Sequence, residues 1–275
     1  MRGLGPNEDS IESFTLPTTE NPFIDQVWLA EEKRRLCKTS GGEDIYKARY
    51  LAQPVISKYM VFPTFTIKEH ISTERATFNP DYPVYVAIDP GGVYAVAAIQ
   101  LIPQEGFGNT FGNLSCCIID EVYFRTTVTT GDVIDECRKR EWWKNTADST
   151  QWDKDYSGSI DVAAVEQRAV WQRETGFRLR ARKVPIMAGI DTLQHWIVTN
   201  TLVLNPLCYN GMDEFARYSY PEENVSNMGK RDIRRNKPKD EFNHLIKAVT
   251  YFLVNHFGYY ARRKTRSIKQ RRSMW

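Results

Sequence analysis

Two acidic residues of this chain stand where apolar runs stop. Asp89 follows Val84, Val86 and Ile88 and precedes Pro90-Gly91-Gly92, and Glu166 follows the run "IDVAAV" over residues 160–165. A carboxylate at the edge of a buried strand is partly desolvated, which is costly unless a cation or a donor pairs with it. Two such strands side by side would carry both carboxylates to one rim of a sheet. A two-metal phosphodiesterase site needs that arrangement, with divalent ions about 3.5–4 Å apart held by acids. Glycines beside Asp89 would let a phosphate backbone come close. The competing explanations are structural: Asp-Pro-Gly is common turn chemistry, and Glu166 fits a surface glutamate at a strand end. Asp161 competes with Glu166, but its place at the start of the expected strand sets it near the opposite rim. Asp120 and Glu121 also end a strand and read as structural.

A third group of candidates lies near the C-terminus. Phe242, Leu245, Ile246, Val249, Phe252 and Leu253 recur at helical spacing, which predicts an amphipathic helix over residues 241–257 with that face in the core. Beside it Asp240, His244, Lys247 and Tyr251 form a second stripe, at intervals of four, three and four. The functional reading aims this stripe at Asp89 and Glu166. The structural one makes Asp240 the helix N-cap and His244 a polar boundary residue.

The elements that must position these residues can be laid out in order. Residues 84–89 and 93–101 predict two strands joined by a tight glycine turn, and residues 114–124 a third. Residues 130–144 predict a helix, residues 160–165 a further strand, residues 190–198 a helix, residues 201–205 a short strand and residues 212–218 a helix. Upstream, the apolar spacing from Phe23 to about Ala52 suggests two helices broken at Gly41-Gly42, and "YMVFPTF" a short strand or extended segment. Three strands, a helix, a strand and more helices fit a mixed α/β sheet better than a parallel doubly wound one.

Composition limits the alternatives. With 275 residues, 41% apolar and 26% charged, the chain can bury a real core and has an ordinary globular balance. No apolar run approaches the roughly 18–20 residues of a membrane span, so the expectation is no membrane partner. Five scattered cysteines and four dispersed histidines match neither a disulfide framework nor a zinc pattern. The net charge of +3 is uneven. Lys230, Arg231, Arg234, Arg235, Lys237 and Lys239 cluster against the single acid Asp232, and seven Lys/Arg, starting at Arg262 and Arg263, lie between Arg262 and Arg272. Such blocks are either solvated tails or a grip on a polyanion.

With those residues in place, the chain from about Phe14 to Phe257 resembles the C-terminal, nuclease-bearing part of a tailed-phage large terminase subunit. "ESFTLPTTENPFI" resembles the threonine- and asparagine-rich end of that family's ATPase domain, and "VFPTF" the linker into the nuclease. "VAIDPGG" is similar to the first nuclease motif, and the strand ending at Glu166 to the second. "FNHLIKAVTYFL" resembles the third, usually Asn-His-x-x-Asp-Ala-x-x-Tyr, except that the family's aspartate falls on Lys247.

The resemblance implies an RNase H-like fold, antiparallel strands 1–3 plus a parallel strand flanked by helices. It implies a divalent-metal endonuclease that cuts concatemeric viral DNA for packaging, with Asp89 and Glu166 as ligands of Mg²⁺ or Mn²⁺. Lys247 weakens the second ion of such a pair, because a protonated lysine has no lone pair to offer. Asp240, on the same stripe, would stand roughly 10 Å from Lys247 along a continuous helix and so out of reach. The alternative is a non-cleaving DNA-binding or packaging subunit that keeps the fold and has lost the metal site through Lys247. The expected organisation is residues 1–60 as an ATPase-side remnant with linker helices, 61–258 as the nuclease and 259–275 as a basic tail. No GxxxxGK[ST] phosphate loop is present in the chain. The implied partners are therefore double-stranded DNA, a separate ATPase motor, the portal and the small terminase subunit, in the host cytoplasm and transiently at the procapsid portal. On this reading the chain is a split or truncated product beginning at Met1 or works beside a separate motor.

Overall fold

The computed structural model describes residues 16–37, 46–47, 49–52, 59–104, 114–146, 156–221 and 237–260. It divides into two compact units, one built from Met1–Thr66 with Ala216–Lys239 and the other from Ile67–Phe215 with Asp240–Trp275. The second segment of the first unit thus comes from within the span expected for the nuclease. In that unit α1 (Gln26–Cys37) buries Leu29 and Leu36 against Tyr46. Met60 bridges Ser219 in an antiparallel manner, which makes residues 59–61 an extended segment. Gly41 and Gly42, the expected helix break, lie outside the described residues.

The second unit is a six-stranded sheet in the order β5-β4-β1-β2-β3-β6. Its strands are β1 (Val84–Asp89), β2 (Tyr94–Pro103), β3 (Leu114–Phe124), β4 (Gly158–Ile160), β5 (Leu179–Arg180) and β6 (Leu202–Leu204). β1, β2 and β3 are antiparallel neighbours, while β4 runs parallel to β1, β5 to β4 and β6 to β3. This is the mixed, RNase H-like sheet that the resemblance implied. Its helices are α2 (Ile67–His70), α3 (Thr130–Arg138), α4 (Val165–Thr175), α5 (Ile186–Val198), α6 (Tyr209–Arg217) and α7 (His244–Phe257).

β1 is buried along its whole length because both faces of the sheet are covered. Successive side chains of a strand point to opposite faces. Val84, Val86 and Ile88 pack into a core with Val96, Val133, Ile134, Ile160 and Trp171. Tyr85 instead faces α7, with its ring 5.4 Å from that of Phe252. The same alternation turns Asp89 toward α7. Gly158, at the start of β4, admits a close approach to β1, since a Cβ there would lie 1.9 Å from the Val86 carbonyl oxygen. Helix α3 opens with a capping box in which Thr129 and Asp132 exchange bonds.

Two expectations need correction. The strand expected over residues 160–165 is instead Gly158–Ile160, and Asp161 follows its last residue. The chain then turns, with Ala163 N–H donating to Asp161 Oδ1, and α4 begins at Val165. Apolar runs of this length suit a strand or a turn entering a helix, and periodicity alone does not separate them. The C-terminal helix begins at His244 rather than at residue 241, because Phe242 adopts a left-handed conformation with φ 53°. Phe242 therefore lies outside the helix whose apolar stripe it was expected to join, and Asn243, not Asp240, occupies the N-cap position.

Candidate functional site

β1 and β4 run parallel with Ile88 opposite Ile160, so the next residues, Asp89 and Asp161, stand side by side at the carboxyl end of both strands. The Asp161 N–H donates to the Ile88 carbonyl at 3.3 Å and holds the register to the rim. Each acid follows an inward-facing isoleucine of the apolar core, so each points to the other face, under α7. The acid paired with Asp89 is thus Asp161. Glu166 lies in the first turn of α4, exposed to solvent.

Helix α7 supplies what meets the two acids. His244 Nδ1 lies 3.0 Å from Asp89 Oδ2, and the Tyr251 hydroxyl donates to Asp161 Oδ2 at 3.0 Å. Lys247 falls between them on the same stripe of the helix. Residues three and four apart share a helix face, which is why His244, Lys247 and Tyr251 converge here. Asp89 is 6% exposed. Burial pushes its carboxyl up, against the opposing pull of the His244 hydrogen bond and the Lys247 charge, while the neighbouring Asp161 charge pushes the same way as burial. Burial, with the charges of Asp89 and Asp161 behind it, pushes the Tyr251 hydroxyl up, so that group remains a neutral donor.

Asp240 is within reach of this cluster after all. Lys247 Nζ donates to Asp240 Oδ1 at 2.6 Å. The helical rise does not separate the two, because residues 240–243 precede the helix and Phe242, at φ 53°, departs from helical geometry. Lys247 draws the exposed Asp240 carboxyl down by its hydrogen bond and charge, and Asn243 adds a second bond.

The cluster is held in place by carboxylates that no local pattern signals. Glu214 of α6 accepts from the first amides of α7, His244 N–H at 2.9 Å and Ile246 N–H at 3.0 Å, and also from the Tyr123 hydroxyl at 2.7 Å. Glu121 of β3 does the same for α6, accepting from the Asn210 and Gly211 N–H groups at 2.7 and 2.9 Å. A helix N-terminus favours an anion, yet burial still pushes both carboxyls up as the largest effect. Asp120, beside Glu121, accepts from Trp142 Nε1–H at 2.7 Å.

As a donor set, the site offers two carboxylates and a lysine. Among the described residues no three His, Cys, Asp or Glu side chains cluster in a way that could hold a metal ion. Magnesium is commonly held by one or two carboxylates, with water and substrate phosphate completing its shell. Asp89 and Asp161 therefore suit one such ion. Of the basic residues singled out in the sequence, Lys237 and Lys239 are exposed. Lys230, Arg231, Arg234, Arg235, Arg262 and Arg263 lie outside the described residues.

The mixed six-stranded sheet gives this chain a fold similar to that of solved large-terminase structures. The large terminase of a thermophilic bacteriophage superposes in one crystal form over 88% of this chain and 55% of its own, at 16% identity and a TM-score of 0.53. A second crystal form of the same protein aligns over 86% and 53%, at 16% identity and a TM-score of 0.54. The nuclease domain of the P22 large terminase aligns over 72% of this chain and 92% of its own, at 14% identity and a TM-score of 0.46. The chain spans about half the length of the thermophilic-phage terminase structures it matches. No protein-family model and no curated protein sequence matches it.

Proposed function

We propose that this chain is a terminase-like, divalent-metal-dependent DNA endonuclease domain that cuts viral DNA concatemers for genome packaging. The observation that supports it best is the pairing of Asp89 and Asp161 at the ends of two adjacent parallel strands, under a helix that presents His244, Lys247 and Tyr251 to them. On this reading Asp161, rather than Glu166, joins Asp89 in holding Mg²⁺ or Mn²⁺. An ion held there supplies Lewis acidity toward a phosphoryl oxygen. The chain's own residues do the positioning. His244 fixes the Asp89 carboxylate, Tyr251 fixes that of Asp161, and Glu214 anchors the helix turn that carries His244. Hydrolysis then adds water across one phosphodiester, breaking a P–O bond and leaving a phosphate and a hydroxyl end.

The basic residues, Lys237 and Lys239 among them, grip the phosphate backbone without reading sequence, so binding falls with added salt. The substrate is double-stranded DNA. The partners are a motor on a separate chain or chain segment, the portal and the small terminase subunit, in the host cytoplasm and transiently at the portal.

The test is plasmid cutting by the purified chain in Mg²⁺ or Mn²⁺, with Asp89→Ala beside it. Cutting that needs the ion and disappears in the variant supports the reading. A wild-type chain that binds DNA but never cuts overturns it in favour of a non-cleaving packaging subunit, and a variant that cuts as well as wild type overturns the assignment of the reaction to Asp89.

A further inference from the structure

We infer that this site takes a single divalent cation and that the Lys247 ammonium supplies the positive charge a second ion would bring to the scissile phosphate. The inference rests on the nuclease reading and goes beyond it by fixing the number of ions and giving Lys247 a substrate contact.

Three observations carry it. The first is the donor set, two carboxylates at the rim, one of them bonded to His244, and, among the described residues, no group of three His, Cys, Asp or Glu side chains arranged to hold a metal ion. Both oxygens of Asp161 already accept a bond, Oδ1 from the Ala163 N–H and Oδ2 from the Tyr251 hydroxyl, while Asp89 Oδ2 meets His244. Two acids so engaged can share one ion, whereas a pair of ions needs further carboxylate oxygens to bridge and flank it.

The second is where the lysine stands. Lys247 is one turn beyond His244 and one turn before Tyr251, the two residues that bond the acids, and its charge acts on Asp89. A cation held in that place repels a second metal ion and attracts a phosphate.

The third is the partner of the lysine, Asp240, which accepts from its ammonium at 2.6 Å. The pairing with Asp240 keeps the ammonium in place without exhausting it, because a lysine has three N–H donors and Asp240 takes one. The remaining donors can reach a non-bridging phosphoryl oxygen, a role in which lysine acts as a point charge.

Counting Mn²⁺ bound to the full chain tests this, by electron paramagnetic resonance of the free ion, alone and with a duplex carrying phosphorothioate linkages. One ion per wild-type chain is expected in both conditions, and two per chain in Lys247→Asp with the duplex. Lys247→Met, which keeps the stem and removes the charge, should still bind one ion while losing most of its cutting. Two ions on the wild-type chain, or one on Lys247→Asp with the duplex, overturn the inference and leave the nuclease reading standing. A wild-type chain that binds no Mn²⁺ overturns both.

Discussion

Asp89 and Asp161 extend a parallel strand pair by one residue past Ile88 and Ile160, and both turn away from the apolar core toward the helix that carries His244 and Tyr251. Their adjacency is a property of strand register, so shifting or removing either carboxylate has a defined consequence.

Asp161→Asn keeps the shape of the side chain and removes its charge, while Glu166→Gln changes an exposed residue of α4. The expected outcome is loss of at least the roughly 10–100-fold in Mn²⁺ affinity that removing an outer-shell partner costs, seen in Asp161→Asn only. Calorimetric titration checks it, and an equal loss in Glu166→Gln would restore that residue as the partner of Asp89.

His244→Ala removes the hydrogen-bond partner of Asp89 and leaves the carboxylate in place. Partners of this kind orient a ligand rather than bind the ion, and losing one costs about 10–100-fold in metal affinity. His244→Ala should therefore bind Mn²⁺ more weakly by that factor with the count of ions unchanged. An affinity equal to wild type would show that the bond does not orient the acid.

Glu214 gives a pH signature. Burial pushes its carboxyl above the ordinary value of 4.5, so the folded chain holds that proton more tightly than the unfolded one. Its stabilising contribution is then full below pH 4.5 and is lost as the pH rises through the folded value. Glu214→Gln cannot titrate. The wild type's advantage in melting temperature over that variant should therefore be largest in acid and shrink toward neutral pH. Differential scanning calorimetry across that range checks the sign, and an advantage that grows with pH would contradict it.

Gly158 sets the spacing between β4 and β1. A Cβ there would lie 1.9 Å from the Val86 carbonyl oxygen, a backbone atom that can move only with its strand. Overpacking of this kind costs about 1–3 kcal/mol or more. Gly158→Ala should melt at a lower temperature and, because Asp161 follows β4 directly, should also bind Mn²⁺ more weakly. Unchanged binding in a destabilised variant would separate the spacing of the strands from the geometry of the acids.

Much of this was legible in the chain. The limits of β3 and the glycine turn between β1 and β2 follow from alternation and turn chemistry, which are local. The pattern at Ile88-Asp89 is repeated at Ile160-Asp161, and that repeat marks the acids that register sets side by side. It was obscured because the apolar residues after Asp161 extend the run toward Glu166, and an Asx turn leading into a helix looks like a strand when only hydrophobicity is considered. The start of α7 was displaced for a related reason. Helical spacing continues through Phe242, but the backbone there adopts φ 53°, and the cap comes from Glu214, thirty residues earlier in the chain.

By itself the sequence determined the three antiparallel strands, the acid at the end of β1 and the stripe of α7 that meets it, because those depend on residue type and on spacing within a few residues. Only the tertiary structure decided which acid stands beside Asp89, that Asp240 reaches Lys247, and which buried carboxylates hold α6 and α7 by their N-termini. Each of those depends on strand register or on a contact between distant segments. A shift of one residue in register would turn Asp161 into the apolar core, and no local pattern of residue types reports that choice.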